Sequence, residues 1–232
     1  MSALANEIDP TTGAGGAGTL VSAGPTAATA ATAATATDKL RRARRRQILD
    51  AAIIVFAEHG YHGASIGQII ERAQIARGTF YLYFQSKAAV FASVLDQAMA
   101  DLRTLIHRIE VTAPNAPPPQ VQLRTQLVAT VDYVAGNRAL ATLLLQAGHT
   151  PDAEAAERLG RFWAEIRALI ERALETGNEL GLLRRCEPEI TAAALLGMAR
   201  GVVELLVLSP GGHSVDSVVG ELLMVALRGI LK

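Results

Sequence analysis

The sequence predicts an all-α protein with about nine helices, and three observations support this prediction. Apolar residues recur at intervals of three and four positions, as Ile48, Ala52 and Phe56 do, and β-branched residues never alternate with polar ones for long. Glycine and proline divide the chain into segments of helical length. The 232 residues are 50% hydrophobic and 19% charged, which is enough apolar material for a sizeable core. We expect a tail at 1–37, a first domain at 38–85 and a second at 86–232.

Residues 1–37 are dominated by Ala, Thr and Gly, and their only charges are Glu7 and Asp9. A segment with so few large apolar groups cannot offset the entropy that its backbone loses on ordering, so the sequence predicts a disordered tail. It lacks the charged start and long apolar run of a secretory signal and the arginines of a transit peptide.

The first domain is expected to contain three helices, followed by a long fourth one. The first helix lies at 38–59. Ser65 is expected to cap a short second helix, because a serine hydroxyl accepts hydrogen bonds from free amides of a first turn. The third helix lies near 77–84, and Ser86 caps the fourth, which extends through Ile109. Five further helices are expected at 119–135, 137–147, 152–177, 188–208 and 214–231.

The charges are unevenly distributed, although the whole chain is neutral. Residues 38–92 carry nine basic and four acidic side chains, net +5, whereas thirteen basic and sixteen acidic residues follow, net −3. The run "KLRRARRR" opens the positive segment. Such a run is typical of a solvated helix face or of a phosphate-binding arm. Its unbalanced charge favours the arm, with Arg44 and Arg45 as candidate DNA contacts.

The stretch "IARGTFYLYFQSK" gathers four aromatic residues in a chain that is 4% aromatic. Its place after a short capped helix gives the spacing of a helix-turn-helix, whose second helix lies in the DNA major groove. Phe80 and Phe84 lie four positions apart and are expected to pack inward. Tyr81 and Tyr83 are expected to turn their hydroxyls towards the DNA.

Small and charged neighbours complete this candidate DNA surface. Arg77 begins the recognition helix, where its guanidinium is expected to pair with guanine O6 and N7. Gly78 has no side chain to block the duplex, Thr79 offers a hydroxyl to phosphate, and Lys87 offers a positive charge. Each residue alone is ordinary for a protein surface, but their combination with the basic run predicts DNA binding.

The segment "ILDAAIIVFAEHGYHGASIGQIIERAQIARGTFYLYFQSKAAVF" resembles the N-terminal domain of the TetR family of transcriptional regulators. The likeness rests on "FAEHGY", the serine-capped second helix and "GTFYLYFQSK", which occur in the family's order and spacing. It implies a homodimeric repressor whose first domain binds double-stranded operator DNA, a near-palindrome, and whose second domain binds a small-molecule effector that releases the DNA. By motif position it implies that the DNA-facing residues are Ser65, Gln68, Arg77, Gly78, Thr79, Tyr81, Tyr83 and Lys87.

Three positions depart from the family's pattern. Ile70 replaces an alanine late in the second helix, Gln74 replaces a glycine in the turn, and Ala76 replaces a serine or threonine at the start of the recognition helix. We expect Ala76 to supply no side-chain cap, at a cost of about 1 kcal/mol. If the turn requires a positive φ, Gln74 is expected to be less favourable than glycine.

The second domain is expected to provide an effector site and a dimer interface. A helical bundle leaves room for a cavity with a few polar groups, and we expect one among helices four to seven. The effector candidates are Met99, His107, Tyr133, His149, Phe162, Trp163 and Arg167. The last two helices are the most apolar; they are either internal core or, paired with those of a second subunit, the four-helix interface that the resemblance implies. We favour the interface, and its candidates are Gly197, Gly201, Leu205, Val218 and Leu222.

Other classes of protein find less support in the sequence. The single cysteine, Cys186, excludes an internal disulfide and fits a reducing cytoplasm. His59 and His62 lack an acidic or cysteine partner for a metal, and neither a phosphate-binding glycine loop nor a nucleophile elbow occurs, so the sequence predicts no enzyme and no cofactor. Charged residues interrupt the apolar runs before the ~18 residues of a membrane span, so no membrane partner is expected. A helical interaction module without DNA binding is a further alternative, against which the positive charge of 38–92 argues.

Overall fold

The structure is a computed structural model that describes residues 27–146, 152–208 and 212–230. Within these ranges it contains nine α-helices, so the prediction of an all-α fold is confirmed. The helices are α1 (Ala27–Gly63), α2 (Ile66–Arg72), α3 (Arg77–Tyr81), α4 (Lys87–Leu105), α5 (Pro119–Gly136), α6 (Arg138–Gln146), α7 (Ala153–Glu179), α8 (Pro188–Leu208) and α9 (Val215–Ile230).

Helix α1 begins at Ala27 rather than near residue 38, so residues 27–37 of the predicted tail are helical. The alanines of this segment account for the correction, because alanine has the highest helix propensity of all residues. Residues 1–26 of the predicted tail lie outside the described residues. The helix is interrupted at Gly60, whose φ of 68° and ψ of 164° are non-helical. Glycine adopts this left-handed φ without a steric cost, and one further turn follows it.

Helix α4 ends at Leu105, before the predicted Ile109. The backbone of Ile106 is extended, with φ −102° and ψ 103°. The backbone N–H of His107 then donates to the side-chain oxygen of Gln126 on α5 (3.2 Å). A side chain of a later helix therefore takes up an amide that a longer α4 would have bonded internally.

The chain up to Arg42 forms one unit, and the residues from Ala43 onward form a second. In the second unit one main core joins α1, α2, α3 and α4 to α6 and α7. Phe56, Phe80 and Phe91 are fully buried in it. This core contains residues from both sides of residue 85, so the two predicted domains, 38–85 and 86–232, do not have separate cores. Their division stays a prediction about function.

Helix α8 exposes an apolar surface that the described residues of its own chain do not cover. Over Pro188–Val207 its mean hydropathy is 1.8, and 6% of that stretch is buried. By length and composition alone this helix is suited to cross a membrane, contrary to the expectation that charged residues shorten every apolar run. An apolar helix at a subunit interface has the same length and composition, so the observation identifies an uncovered surface and not its partner.

Candidate nucleic-acid interface

Helix α2 begins with a capping box formed by Ser65 and Gln68. The Ser65 hydroxyl oxygen accepts a hydrogen bond from the Gln68 backbone N–H (3.3 Å). The Gln68 side-chain oxygen accepts one from the Ser65 backbone N–H (2.8 Å). These reciprocal bonds satisfy two amides that the helix cannot satisfy itself. The predicted cap is confirmed, and both residues, which we expect to face the DNA, hold the start of the motif in place.

The turn between α2 and α3 contains two of the three departures from the family pattern, Gln74 and Ala76. Gln74 has φ 52°, and within the described residues it is the one non-glycine residue with a positive φ. Ala76 is the N-cap of α3 and makes no side-chain capping bond. The missing cap at Ala76 is confirmed, and the positive φ at Gln74 meets the condition under which glycine is expected to be more favourable.

Helix α3 presents one buried and one exposed face. Phe80 is fully buried, and Phe84, just beyond the helix, is 4% exposed, so the predicted inward pair is confirmed. On the other face Tyr81 is 45% exposed, and the Arg77 guanidinium carbon lies 6.0 Å from the centroid of its ring. Tyr83 is half-buried against the core and offers DNA less surface than Tyr81.

The remaining residues of the α3 region include one that the sequence reasoning missed. Gly78 is exposed, and a Cβ atom at this position would meet no heavy atom within 4 Å. Thr79 is half-buried. Leu82, directly after the helix, is 75% exposed. The signal for Leu82 was available as an apolar residue between two tyrosines at the end of a recognition helix, where apolar side chains contact thymine methyl groups.

Two arginines of the basic run are attached to the motif. Arg44 Nη1 donates to the side-chain oxygen of Gln47 (2.8 Å), and Gln47 Nε2 donates to the carbonyl of Ala73 at the end of α2 (2.7 Å). The guanidinium carbon of Arg45 lies 5.3 Å from the ring centroid of Phe84. Both predicted phosphate contacts therefore stand beside the helix-turn-helix rather than apart from it.

Lys87 points back into the protein. Its Nζ donates to the backbone carbonyls of Tyr61 (2.8 Å), His62 (3.2 Å) and Ala64 (3.0 Å). The side chain is half-buried. This predicted phosphate contact is thus engaged with carbonyl groups of its own chain.

The predicted effector residues divide between the core and the surface. Met99 and Phe162 are 5% and 4% exposed and belong to the main core. His107 is exposed in the segment after α4. His149 lies outside the described residues.

The polar groups of the effector region include one buried donor without a partner. The indole Nε1–H of Trp163 is shielded from solvent and has no acceptor among the described residues. The Arg200 guanidinium carbon lies 4.6 Å from the Trp163 ring centroid. The hydroxyl of Tyr133 donates to the Asp101 carboxylate (3.1 Å), and burial together with this carboxylate raises the pKa of Tyr133. Arg167 pairs with two glutamates at 3.3 and 3.8 Å.

The predicted interface residues differ in how far their own chain covers them. Gly197 and Gly201 are exposed, with open space around them. Leu205 is 43% exposed. Val218 is 8% exposed and packs in a small cluster of α5 and α9 residues, against which α8 also packs and Leu222 is half-buried. Val218 therefore has little surface left for a partner, while the two glycines and Leu205 have more.

Two surface cavities of about 470 Å³ each lie away from the predicted effector residues. One is beside Gln47 and Arg72 on α1 and α2. The other is beside Asn178 and Cys186, between α7 and α8. Within the described part of the chain, no group of three or more His, Cys, Asp or Glu residues is suited to hold a metal ion.

Family models match both parts of this arrangement. The model described as "Bacterial regulatory proteins, tetR family" matches residues 48–94, which include the helix-turn-helix. The model described as "Tetracyclin repressor-like, C-terminal domain" matches residues 116–230. The chain belongs to the TetR family. The first match of this TetR-family chain contains the predicted DNA contacts from Ser65 to Lys87, but not Arg44 and Arg45, and the second contains α5 to α9.

Individual TetR-like proteins extend the comparison. The fatty acid metabolism regulator protein of Bacillus subtilis (strain 168) is 39% identical over 72 residues, which span 31% of this chain and 36% of that protein. The transcriptional repressor DhaR of Mycobacterium sp. (strain GP1) is 26% identical over 162 residues, 68% of this chain and 80% of DhaR. The structure of FadR from Bacillus subtilis in complex with stearoyl-CoA has a TM-score of 0.68 at 20% identity, covering 79% of this chain and 98% of that one. At this identity the structural likeness shows the fold.

Proposed function

We propose that the protein is a homodimeric transcriptional repressor that binds a near-palindromic operator in double-stranded DNA and releases it when a small-molecule effector binds. The observation that carries the proposal is the recognition helix α3, which buries Phe80 and exposes Tyr81 and Arg77 on its other face. The name of the relative DhaR supports repression. We retain the remaining DNA-facing residues as proposed contacts, which are Arg44, Arg45, Ser65, Gln68, Gly78, Thr79 and Tyr83.

A duplex that the wild-type protein selects from a random pool tests the DNA-binding part of the proposal. Arg77→Ala is expected to reduce discrimination between this duplex and a scrambled one by about 1–3 kcal/mol, the contribution of a bidentate guanine contact. Arg161→Ala is the matched control, because this side chain is 66% exposed on α7, outside the motif. Failure to select any sequence, or equal losses in the two variants, would contradict the proposal.

We propose that the uncovered face of α8 forms the dimer interface. A helix with open glycines at Gly197 and Gly201 and an exposed Leu205 permits close approach of the same helix from a second subunit. The dimer would present two recognition helices to successive major grooves, roughly 34–36 Å apart or a multiple of that. The selected duplex is therefore expected to be nearly palindromic.

Sedimentation tests the interface directly. Gly201→Glu is expected to give monomers, because it places a charge without a partner in an apolar contact. Gly160→Glu is the matched control, since Gly160 is also an exposed helical glycine with open space around it, but lies on α7. A monomeric wild type at micromolar concentration, or a dimeric Gly201→Glu variant, would contradict the interface.

We propose that the effector binds beside Trp163. A buried N–H group without an acceptor is unfavourable by about 1–3 kcal/mol, and a ligand acceptor would relieve this cost. The Arg200 guanidinium over the same ring supplies further donors and a positive charge. The chemistry favours an apolar molecule with a carbonyl or anionic group. Met99, His107, Tyr133, His149, Phe162 and Arg167 remain the other proposed lining residues.

Stearoyl-CoA is the first probe, because a FadR structure is described in complex with it. Trp163 is the chain's only tryptophan, so its fluorescence reports binding at this position. We expect a change in emission and release of the selected duplex, with a weaker response in Arg200→Met than in the surface control Arg161→Met. Release without any change in Trp163 emission would place the ligand elsewhere.

We propose no catalytic activity, no cofactor and a cytoplasmic location. The relatives named above are a metabolism regulator and a transcriptional repressor. A helical interaction module that does not bind DNA is the alternative, and the net charge of +5 at 38–92 opposes it. The selection experiment separates the two functions.

A further inference from the structure

Lys87 connects the two ends of the helix-turn-helix motif. It is the first residue of α4, after the recognition helix and its turn. Its ammonium lies 2.8 Å from the carbonyl oxygen of Tyr61, 3.2 Å from that of His62 and 3.0 Å from that of Ala64. Ala64 immediately precedes Ser65, the N-cap of α2. One side chain thus joins the residue before the motif to the residue after it.

The chemistry of these contacts suits a structural cation. The last carbonyl groups of a helix have no intrahelical partner, and a lysine near a helix C-terminus both bonds them and interacts favourably with the helix dipole. An ammonium has three protons, and the three carbonyls account for all of them. Lys87 Nζ also lies 4.6 Å from the ring centroid of Tyr61, at cation–π distance.

The same face of α4 holds Tyr61 from a second side. Phe91 follows Lys87 by one helical turn, and its ring centroid lies 4.8 Å from that of Tyr61. Phe56 of α1 packs on both rings, with centroids 5.7 Å away in each case. Tyr61 is 5% exposed. The contact between the end of α1 and the start of α4 is therefore an ordered, buried junction.

We propose that Lys87 is a positioning residue for DNA recognition, which fixes the helix-turn-helix between α1 and α4 and makes no phosphate contact of its own. The DNA part of this inference rests on the proposed function. Its structural part, the ordering of the motif in the free protein, does not.

Salt dependence separates a positioning role from a phosphate contact. Each phosphate contact adds about 0.9 to the slope of log affinity against log salt concentration. A lost phosphate contact therefore lowers the slope by about 0.9 per protomer. If Lys87 only positions the motif, its replacement reduces affinity for the duplex and leaves the slope unchanged.

Two substitutions at Lys87 probe different properties of the side chain. Lys87→Met keeps the length of the aliphatic chain and removes the charge. Lys87→Arg keeps the charge but spreads its donors over a planar fork, which does not place three protons at one point. Arg45→Met is the control, because Arg45 is an exposed residue of the basic run and a proposed phosphate contact.

The experiment uses the full-length protein, the duplex selected by the wild type, and fluorescence anisotropy over a series of KCl concentrations. Amide hydrogen exchange is measured without DNA. We expect both Lys87 variants to bind the duplex at least about tenfold more weakly, the lower end for losing a hydrogen bond to a charged group. Their salt slope is expected to match the wild type, and the amides of α2 are expected to exchange faster. Arg45→Met is expected to lower the slope by about 0.9 per protomer and leave exchange unchanged.

Three results would overturn the inference. One is a Lys87→Met slope lowered by about 0.9 per protomer with wild-type exchange, which would make Lys87 a phosphate contact. The others are wild-type affinity in Lys87→Arg and wild-type exchange in both variants. If Lys87→Met does not fold, as judged by circular dichroism, Lys87→Arg decides. If the wild type selects no duplex, the proposed function fails, and the exchange data alone decide the positioning role.

Discussion

The turn of the helix-turn-helix contains a strain that one substitution is expected to remove. Gln74 has φ 52°, and an L-residue in this region loses roughly 1–2 kcal/mol because its Cβ crowds the following carbonyl. Glycine avoids this contact but loses roughly 0.5–1 kcal/mol more in backbone entropy on folding. The midpoints of these two ranges differ by about 0.75 kcal/mol, so Gln74→Gly is expected to raise the free energy of unfolding by roughly that amount.

Thermal unfolding at a fixed protomer concentration measures this change, because the stability of a dimer depends on its concentration. For a chain of this size the midpoint is expected to rise by roughly 1–4 °C. Gln97→Gly is the control, as Gln97 is exposed in the middle of α4. There the same chemical change is expected to lower stability by about 1 kcal/mol, since the backbone is helical. It also removes a hydrogen bond from Gln97 to Asp101 (2.8 Å).

Equal or lower stability of Gln74→Gly would refute the reasoning, because it would mean that the left-handed backbone at this position is not strained. The control guards against a general effect of glycine. A rise in both variants would point to a change in the unfolded chain, and only opposite signs support the argument from φ.

Leu82→Ala is expected to abolish a thymine preference: deoxyuridine in place of a contacted thymidine should weaken the wild type but not the variant, since both changes remove one methyl contact; equal weakening would contradict it. Deleting 1–37 is expected to leave operator affinity nearly unchanged, whereas alanines at 44–46 should reduce it strongly at low salt; gel retardation decides, and the reverse pattern would contradict the phosphate-binding arm. Burial and Asp101 raise the pKa of Tyr133, so the free energy of unfolding is expected to fall as the pH rises above about 10, and Tyr133→Phe should weaken this fall. Denaturation curves at several pH values measure this fall, and the same pH dependence in the wild type and in Tyr133→Phe would contradict the interaction of Tyr133 with Asp101.

The apolar periodicity and the glycine and proline residues between helices correctly predicted those helices whose first and last residues are set by local sequence. α8 occupies the predicted 188–208, and α5 to α9 all begin and end close to the predicted residues. The end of α4 was not predictable in this way, because Gln126, on a later helix, binds the backbone of His107. The start of α1 could not be predicted with the same rules. The alanines of 27–37 favour a helix, whereas the lack of large apolar groups in the same residues favours disorder.

In the candidate site, too, features set by local sequence were predicted and features set by contacts with distant residues were not. The spacing of Phe80 and Phe84 was sufficient to predict their burial, because residues four apart share a helix face. The sequence predicted a cation at Lys87 but not its acceptors, since these are carbonyls more than twenty positions earlier. The sequence favoured an interface position for Val218, whereas this side chain is 8% exposed and packs in a cluster with Val131 and Val219 of its own chain.

The junction at Tyr61 also connects the effector region to the DNA-binding motif. Tyr61 belongs to the same buried core as Ala155, Leu159 and Phe162 of α7. Burial, followed by the carboxylates of Asp152 and Glu154 at the start of α7, raises the pKa of Tyr61. Trp163 lies on the same α7. A ligand at Trp163 that displaces this helix would act on the junction, but only as far as it binds the two states unequally.

By reciprocity, the factor by which stearoyl-CoA weakens duplex binding must equal the factor by which the duplex weakens stearoyl-CoA binding. Titrations of Trp163 fluorescence with and without the selected duplex measure this factor, which we expect to fall in Lys87→Arg; a wild-type factor of about one would show that the two sites are not coupled.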